Sequence, residues 1–463
     1  DTPYRRYVSS SLGDMAWNRT QAELTWYIKP SKNVTFHNVA YHHFLDRSWT
    51  KLNGFRDGTN LHQLLTLDDY SGQSAVYMAI LKGEEDSTSQ GQYLQIGTNY
   101  RVFHSYGVQS KAQIKNYGEK YESTLELGIR YHGDNVVRIH TEEPHVMLEG
   151  SLQRSDLETE TILDSTATAN AVAVHIHEDL SFSKIHFFPG LRVEMVQGQR
   201  KDLYATTQES IVRTSVLPGF ATLVDVGNWV DLFAGVHRGF SPVSPGQPAE
   251  VQPEQSWNYE TGLRLDFGNS NAEVVGFFND YENLLGQCSF SGGCNGEAID
   301  QQYNGGSVWI YGMESLLGTK IAITEQFSIP ISASYTLNQS SFRSDFYSSF
   351  SQFGSVTTGD VLPYLATHQA SFSLGVQTGK FTWGNNLSYR SKMLDAAGTF
   401  DSEELEIPEL FLWESALSVN LPNRFVVYAS GTNLLNDNSV TSWRPFGART
   451  VAPRQIMLGV KRN

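Results

Sequence analysis

The chain has 463 residues, of which 40% are hydrophobic and 12% aromatic, and its formal net charge at pH 7 is -15. This acidic balance argues against a nucleic-acid partner, because there is no excess of Lys and Arg to neutralise phosphates. No apolar run approaches the roughly 20 residues of a membrane helix, so helical insertion is excluded. A transmembrane β-barrel is not excluded, since it exposes apolar side chains at every second position only.

Segments in which apolar and polar residues alternate recur along the chain, as is typical of strands with one apolar face. The alternation is clear at 124–132, 263–267, 329–336, 371–377 and 413–421. In the last segment one face carries Trp413, Leu417, Val419 and Leu421. The other face carries Glu414, Ala416, Ser418 and Asn420. Segments 34–44 and 425–432 alternate poorly, and the turns around them place them as strands.

Short turns and long loops alternate strictly between these segments. The short turns are expected near 30–33, 116–120, 181–183, 227–228, 268–270, 324–326, 378–380 and 421–423. The long loops are expected near 45–100, 140–167, 198–214, 241–256, 284–303, 339–364, 394–409 and 437–453, and a short helix is expected within 54–86. This pattern predicts an all-β fold, a transmembrane antiparallel barrel with about 17 strands in this chain, the short turns being periplasmic and the long loops external.

The two terminal strands are predicted to point the same way. The first, about 20–28, leads into a short turn, and the last, about 455–461, leaves a long loop. Pairing them directly would give a parallel closure, which bacterial single-chain barrels avoid. Leaving them unpaired would expose two sheet edges to lipid, where backbone groups find no partner. Further strands are therefore expected outside this sequence.

The end of the chain resembles the TonB-dependent outer-membrane transporters. The resemblance is carried by YASGTNLLND, then WRPFGART and RQIMLGVKRN, in the order and spacing of that family's last two strands. Earlier segments are similar to its ferric-dicitrate-type branch, namely TPYRRYVSSSLGDMAWNRTQAEL, IGTNYRVFHSYGVQSK, LELGIRYHGDNVVRIHTE, PGLRVEM and GVHRGFSPVSPG.

The resemblance implies a barrel of 22 strands preceded by a globular plug that contacts TonB. Five further strands would repair the strand parity, so residues 1–463 are expected to be the C-terminal part of such a barrel, with no plug domain. The upstream plug and first strands are then expected elsewhere, either upstream in the same protein or on a separate chain. It follows that the location is the outer membrane of a Gram-negative cell, with Asp1 external, the C-terminus periplasmic and lipid or lipopolysaccharide around the wall.

The chain carries no Gly-rich phosphate loop, HExxH or GxSxG, so no enzyme, cofactor or resident metal is expected. The resemblance implies import of a ferric chelate, citrate-like or another siderophore, bound at the outer mouth and driven through TonB and the plug. Two alternatives remain open. One is an ungated passive pore, and the other is a structural barrel that serves as a scaffold in an envelope complex.

An anionic carboxylate chelate is best held by arginines, whose planar donors grip carboxylates in pairs. The parity and height of the strands suggest Arg138, His140 and Arg390 on the lumen face, and Arg101 and Arg449 in or beside external loops. An ordinary solvated charge is the alternative for each. A haem ligand is disfavoured, because the Phe-Arg-Ala-Pro and Asn-Pro-Asn-Leu boxes are missing.

Other side chains have more than one interpretation. His175 and His177 lie two residues apart on one face and could hold a metal, but lumen histidines packed against a plug are favoured; 41–43, Tyr-His-His, is comparably ambiguous. Cys288 and Cys294, in a Gly/Ser-rich loop, fit a disulfide better than a metal site. Five tryptophans suit aromatic girdles at two membrane interfaces, namely Trp229, Trp257, Trp309, Trp383 and Trp413.

Overall fold

The computed structural model describes residues 7–59, 61–65, 67, 69–203, 206–288, 301–348, 350, 352–400, 406–444 and 447–462. One antiparallel sheet dominates the described chain, and consecutive long strands pair with each other along it. No helix among the described residues is both long and apolar enough to cross a membrane.

Seventeen long strands form the wall, and both their number and their antiparallel order confirm the predicted fold class. In chain order they are β1 Asp14–Ile28, β2 Val34–Phe55, β3 Leu94–Tyr117, β4 Glu122–Leu148, β5 Glu160–Phe182, β6 Ile185–Asp202, β7 Thr207–Gly227, β8 Val230–Ser241, β9 Glu254–Asp266, β10 Ser270–Glu282, β11 Val308–Thr324, β12 Phe327–Phe342, β13 His368–Gln377, β14 Phe381–Arg390, β15 Leu410–Asn420, β16 Phe425–Thr432 and β17 Gln455–Arg462. An eighteenth strand, Ser151–Arg154, is short and pairs antiparallel with the last residues of β4, His145 to Leu148.

The two sides of the wall differ in chemistry because successive side chains of a strand point to opposite faces. On β4 the outward residues Leu127, Ile129 and Tyr131 are 41%, 55% and 38% exposed. On the other face of the same strand, Arg130 donates to the hydroxyl of Tyr41 on β2, at 2.9 Å. The apolar face therefore points outward, and the polar face lines a lumen.

The sheet has two distinct ends. Short connections such as 29–33 and 183–184 join the strands at one end, which we call the turn end, and longer ones such as 56–93 and 433–454 join them at the loop end. All eight predicted turns lie at the turn end. β1 and β17 each have one strand partner among the described residues, and both run toward the turn end.

Three predicted loops were wrong in extent. In place of 45–100, 140–167 and 198–214, the connections are only 56–93, 149–159 and 203–206, because β2 to β7 continue far beyond the bilayer. About 9–11 residues suffice to span it, whereas β4 has 27. Beyond the lipid neither face has to be apolar, so these extensions lack the alternation that marks a membrane strand.

The long connections carry small elements of their own. The predicted short helix in 54–86 is confirmed as α1, Leu61–Leu65, and α2, Gln73–Lys82. Short 3-10 turns lie at Val8–Ser10, Gln90–Gln92 and Pro422–Arg424. Four loops contain a two-stranded hairpin, formed by Leu285–Gln287 with Gln302–Asn304, Phe346–Tyr347 with Ser355–Val356, Met393–Leu394 with Glu406–Ile407, and Val440–Ser442 with Arg449–Thr450.

The buried apolar clusters of the described chain also lie at the loop end rather than inside the wall. The largest joins α1 and α2 to the ends of β2, β3 and β4, and it comprises Phe55, Leu61, Leu64, Tyr77, Met78, Ile80, Leu81, Leu94 and Met147. Two smaller clusters hold the later loops, Val308 with Phe342, Val356 and Ala397, and Ala366 with Met393 and Ile407. The loops are thus packed structures on which polar groups can be positioned.

The five tryptophans expected at the interfaces all point outward and are 36% to 52% exposed. Trp229 and Trp383 lie near the turn end, and the other three lie toward the loop end. Trp257 on β9 and Phe267, the residue that follows this strand, are about ten residues apart, roughly 33 Å at the rise of a strand. A strand tilt of roughly 45° reduces this to about 23 Å of height, close to the ~25 Å apolar band of outer-membrane barrels.

The two faces of β12 provide a test of this orientation. Ala333 points outward, opposite Phe372, and its neighbour Ser334 points into the lumen, opposite Ser371. We expect Ala333→Arg to destabilise the barrel by about 2–4 kcal/mol, because it places a cation in lipid, and Ser334→Arg to have little effect. Immunoblots of outer-membrane fractions measure how much protein is assembled, and the gel shift of the unheated barrel shows whether it is folded. Equal loss of folded protein in both variants would contradict the assignment of faces.

Candidate functional site

Three arginines lie side by side on the lumen face of β2, β3 and β4. Arg47 is directly opposite Arg101, and Arg101 is directly opposite Arg138. They share the face of Tyr41 and His132, which meet through the Tyr41 hydroxyl and the His132 Nδ1. Opposite Cα atoms on neighbouring strands are about 4.5–5.5 Å apart, so this arginine row spans roughly 10 Å.

The surroundings of the arginine row hold its side chains in place. The Nε of Arg101 donates to the Oδ1 of Asn99 at 2.8 Å. The guanidinium of Arg47 lies 5.7 Å from the centre of the Phe103 ring. The Nε of Arg47 is buried and has no hydrogen-bond acceptor within the described part of the chain. Such a buried donor is suited to bind an oxygen of a ligand, and Arg130 and Arg213 carry one too.

The arginine row concentrates positive charge on the lumen face, which favours binding of an anion. Like charges directly opposite each other in a sheet are destabilising. A bound carboxylate relieves that repulsion, and a guanidinium offers it two parallel N–H donors. An anion with several carboxylates could bridge neighbouring arginines across the roughly 10 Å of the row.

Lys51 and Arg449 form a second pair of cations nearer the loop end. Lys51 follows Trp49 on the same face of β2, and its Nζ lies 5.0 Å from the centre of the indole ring. Burial, and then the neighbouring charge of Arg449, lowers the pKa of Lys51 to about 7. Lys51 lies beyond the roughly 11 residues with which β2 can span the bilayer.

Arg449 is placed by the last loop, in which it lies opposite Ser442 in a small hairpin. That hairpin is anchored by an ion pair between the Nη2 of Arg444 and the Oδ2 of Asp395, 3.0 Å apart, with side chains 10% and 8% exposed. The hydroxyl of Tyr364 donates to Asp395 and lies 2.9 Å from the Oγ of Ser442. The loops 343–367, 391–409 and 433–454 are therefore tied together.

Protonation supports this anchor. Burial, and then the hydrogen bond to Asp395, raises the pKa of Tyr364 to about 12. The phenol thus keeps its proton over the physiological range, and it can donate to the carboxylate continuously. The indole Nε1 of Trp443 adds a hydrogen bond to the carbonyl of Glu406 at 3.3 Å.

Two of the predicted binding residues occupy different surroundings from the others. His140 is only 3% exposed and lies opposite Asn99 and Leu163, next beyond Arg138 on the same face. It therefore adjoins the arginine row from a buried position. Arg390 lies on β14, far along the sheet, and donates to the carbonyl of Pro408 at 2.9 Å. The structure brings Arg101 and Arg138 together and leaves Arg390 apart.

The histidines that could have held a metal are engaged with other groups. The Nε2 of His175 lies 3.0 Å from Glu126, and His177 stacks on Phe188. The segment 41–43 is split between faces, since His43 points to the lumen and His42 points outward to His104. The described residues contain no group of three His, Cys, Asp or Glu side chains arranged for a metal.

The predicted disulfide cannot be followed in the structure. Cys288 is described, whereas Cys294 lies outside the described residues. The pairing therefore stays a prediction.

Sequence reasoning missed Arg47, Trp49 and Lys51. All three lie in what was predicted to be the loop 45–100, and they belong to the extension of β2. The cross-strand register, which sets Arg47 opposite Arg101, was the signal that could have found them. It becomes visible only once the strand is known to continue.

Comparison with known proteins identifies the family to which this strand wall belongs. Residues 1–434 match the family described as TonB dependent receptor-like, beta-barrel. The chain belongs to this family. TonB-dependent receptor barrels are outer-membrane proteins that act as receptors and transporters, which agrees with the expectation that the chain is not an enzyme.

Solved receptors share the fold of this TonB-dependent barrel at low identity. The ferric citrate transporter FecA in its unliganded form is 16% identical, with a TM-score of 0.71 over 97% of this chain and 62% of its own. The siderophore receptor PiuA from Acinetobacter baumannii is 14% identical, with a TM-score of 0.75 over 97% of this chain and 65% of its own. The ferric-catecholate import receptor Fiu from E. coli K12, in its closed form, is 11% identical, with a TM-score of 0.72 over 98% and 65%. The chain thus spans under two thirds of the length of each.

The buried ion pair of the last loop is testable. We expect Arg444→Leu to destabilise the tied loops by about 3–5 kcal/mol, because Asp395 is left charged and buried. The double variant Arg444→Leu/Asp395→Leu should recover most of that loss. As a control, Arg154→Leu breaks a more exposed pair with Glu143, with side chains 65% and 30% exposed, and should cost at most about 1 kcal/mol. Limited proteolysis of 433–454 measures loop opening; equal cleavage in all variants would contradict the anchor.

Proposed function

We propose that this chain forms most of the barrel wall and the outer binding loops of a TonB-dependent importer for a ferric carboxylate chelate, citrate-like or another siderophore. The observation that carries the proposal is the arginine row, Arg47, Arg101 and Arg138, on the lumen face toward the loop end. Ferric carboxylate chelates are anionic, and adjacent guanidinium groups can grip several carboxylates at once.

The proposal includes parts of the receptor beyond this sequence. β1 and β17 run in the same direction, so antiparallel pairing at both edges requires an odd number of further strands. Five such strands and a plug would supply the length by which FecA exceeds this chain. We place the loop end and Asp1 outside the cell, and TonB would act through the plug on the periplasmic side. Outer-membrane lipid or lipopolysaccharide would surround the apolar face.

An ungated pore and an envelope scaffold are the competing functions. A pore predicts a large, steady conductance in planar bilayers, and a scaffold predicts a stoichiometric protein partner and no ligand. A scaffold gains nothing from the repulsion that three opposed arginines introduce. A pore lined by them would be selective for anions, so the conductance measurement separates such a pore from an importer.

Binding of ferric citrate tests the proposal directly. Trp49 adjoins Arg47 on the lumen face of β2, so quenching of tryptophan fluorescence should report occupancy. We expect Arg101→Gln and Arg138→Gln each to weaken binding about 10- to 100-fold, since a hydrogen bond to a charged group contributes about 1.5–3 kcal/mol.

The control for this measurement is Arg264→Gln. Arg264 also faces the lumen, but it pairs with Glu273 at 2.7 Å and lies far from the arginine row. It should bind ferric citrate as the unmodified protein does. A neutral ferric hydroxamate should bind weakly to all variants. Absence of quenching by ferric citrate and by a panel of other anionic ferric chelates would refute the proposed substrate class.

A further inference from the structure

A second group of cations lies beyond the arginine row, on the side of the long loops. Trp49 lies between Arg47 and Lys51 on the same face of β2, and the ammonium of Lys51 lies 5.0 Å from its ring centre. A cation over an indole face is stabilised by the ring quadrupole. The indole therefore separates two positive groups, one of which belongs to the arginine row.

The last loop brings another cation to this place. Gly447, two residues before Arg449, packs against α1, and a Cβ at Gly447 would lie 3.2 Å from the Cβ of Leu65. Its φ of +82° also favours glycine. The backbone of the last loop thus touches the first long loop, and Arg449 comes near enough to Lys51 to affect its protonation.

The charges that face Lys51 come from several elements. Arg47 lies on its own strand, and Arg449 lies on the last loop. From β4, Glu142 lies in the same cross-strand row, with Gly97 of β3 between it and Lys51. Its carboxylate accepts a hydrogen bond from Asn53 at 3.0 Å. Burial and Arg449 together hold the pKa of Lys51 at about 7, against an ordinary 10.5.

We propose that Lys51 and Arg449 form a second anion subsite of the chelate-binding mouth, with Trp49 as its floor, and that the bound chelate draws a proton onto Lys51. This inference rests on the proposed function, because it concerns the same anionic ligand. The ligand carboxylate favours the charged ammonium, and it also screens the repulsion between Lys51 and Arg449. The proton comes from solvent, and no covalent bond is changed.

The direction in which pH changes the affinity follows from the protonation of Lys51 in the ligand-free protein. At pH 6 about nine-tenths of Lys51 is protonated before the ligand binds, and at pH 8 only about one-tenth, given a pKa near 7. Binding at pH 8 must therefore include proton uptake, and binding at pH 6 need not. Affinity should be higher at pH 6 than at pH 8 by about tenfold.

Calorimetry with ferric citrate, in excess citrate, tests this inference. Titrations at pH 6 and pH 8, each in two buffers of different ionisation enthalpy, give the affinity and the number of protons taken up. Because citrate and ferric ions also exchange protons, the readout is the difference between the unmodified protein and Lys51→Arg. That variant keeps the positive charge at both pH values, so it should lose about one proton of uptake at pH 8 and the tenfold pH dependence.

Two further variants complete the test. Arg449→Gln removes the neighbouring like charge, so it should weaken binding at pH 6 and also reduce the pH dependence. Lys111→Arg changes a lumen lysine that pairs with Glu126 at 3.0 Å, and it should behave as the unmodified protein. Ferric citrate binding with the same pH dependence in the unmodified protein and Lys51→Arg would overturn this inference alone. Absence of binding by ferric citrate and by the panel of anionic chelates would overturn the proposed function, and this inference with it.

Discussion

The backbone hydrogen-bond ladder is the constraint on which the rest of this structure depends. Lipid offers no partner to an amide or a carbonyl, so each spanning strand must satisfy its backbone through its neighbours. Antiparallel pairing in chain order does this with short turns at one end. The same pairing fixes the side-chain period at two, and lipid on one side and water on the other select the residues at alternate positions.

That constraint also explains how far the sequence could predict the fold. Within the bilayer, as at Ile129 or Phe372, an outward side chain must be apolar, and the strands and their turns could be read from the alternation. Beyond the bilayer the ladder between β2, β3 and β4 continues for many residues without that selection. Arg47 and Arg101 therefore looked like loop residues, although they lie in regular strands. For β2 to β7 the sequence predicted the membrane part of the strand and not its extension.

The proposed binding residues differ in the same way in how far the sequence could predict them. Arg101 and Arg138 could be chosen from residue type and height, but their direct opposition follows from a register that no single strand reveals. Arg390 met the same criteria and lies elsewhere, held by the carbonyl of Pro408. The approach of Arg449 to Lys51 depends on packing between the first and last loops, which has no periodic signature. Local sequence patterns identify such residues as candidates, and tertiary contacts determine which of them lie close together.

The position of these cations indicates how stability and binding are divided in the barrel. The spanning part carries a regular ladder with ion pairs such as Lys111 with Glu126, whereas the arginine row lies where the strands have left the lipid. The repulsion between the arginines acts on strand extensions and loops outside the lipid. The buried clusters of the loops and the Arg444–Asp395 pair stabilise these regions. The mouth can therefore keep an unfavourable charge arrangement without weakening the wall, and an anion that relieves the repulsion gains binding energy from it. Because the cations come from both β2 and the last loop, the anion would also favour the contact between these two parts of the chain.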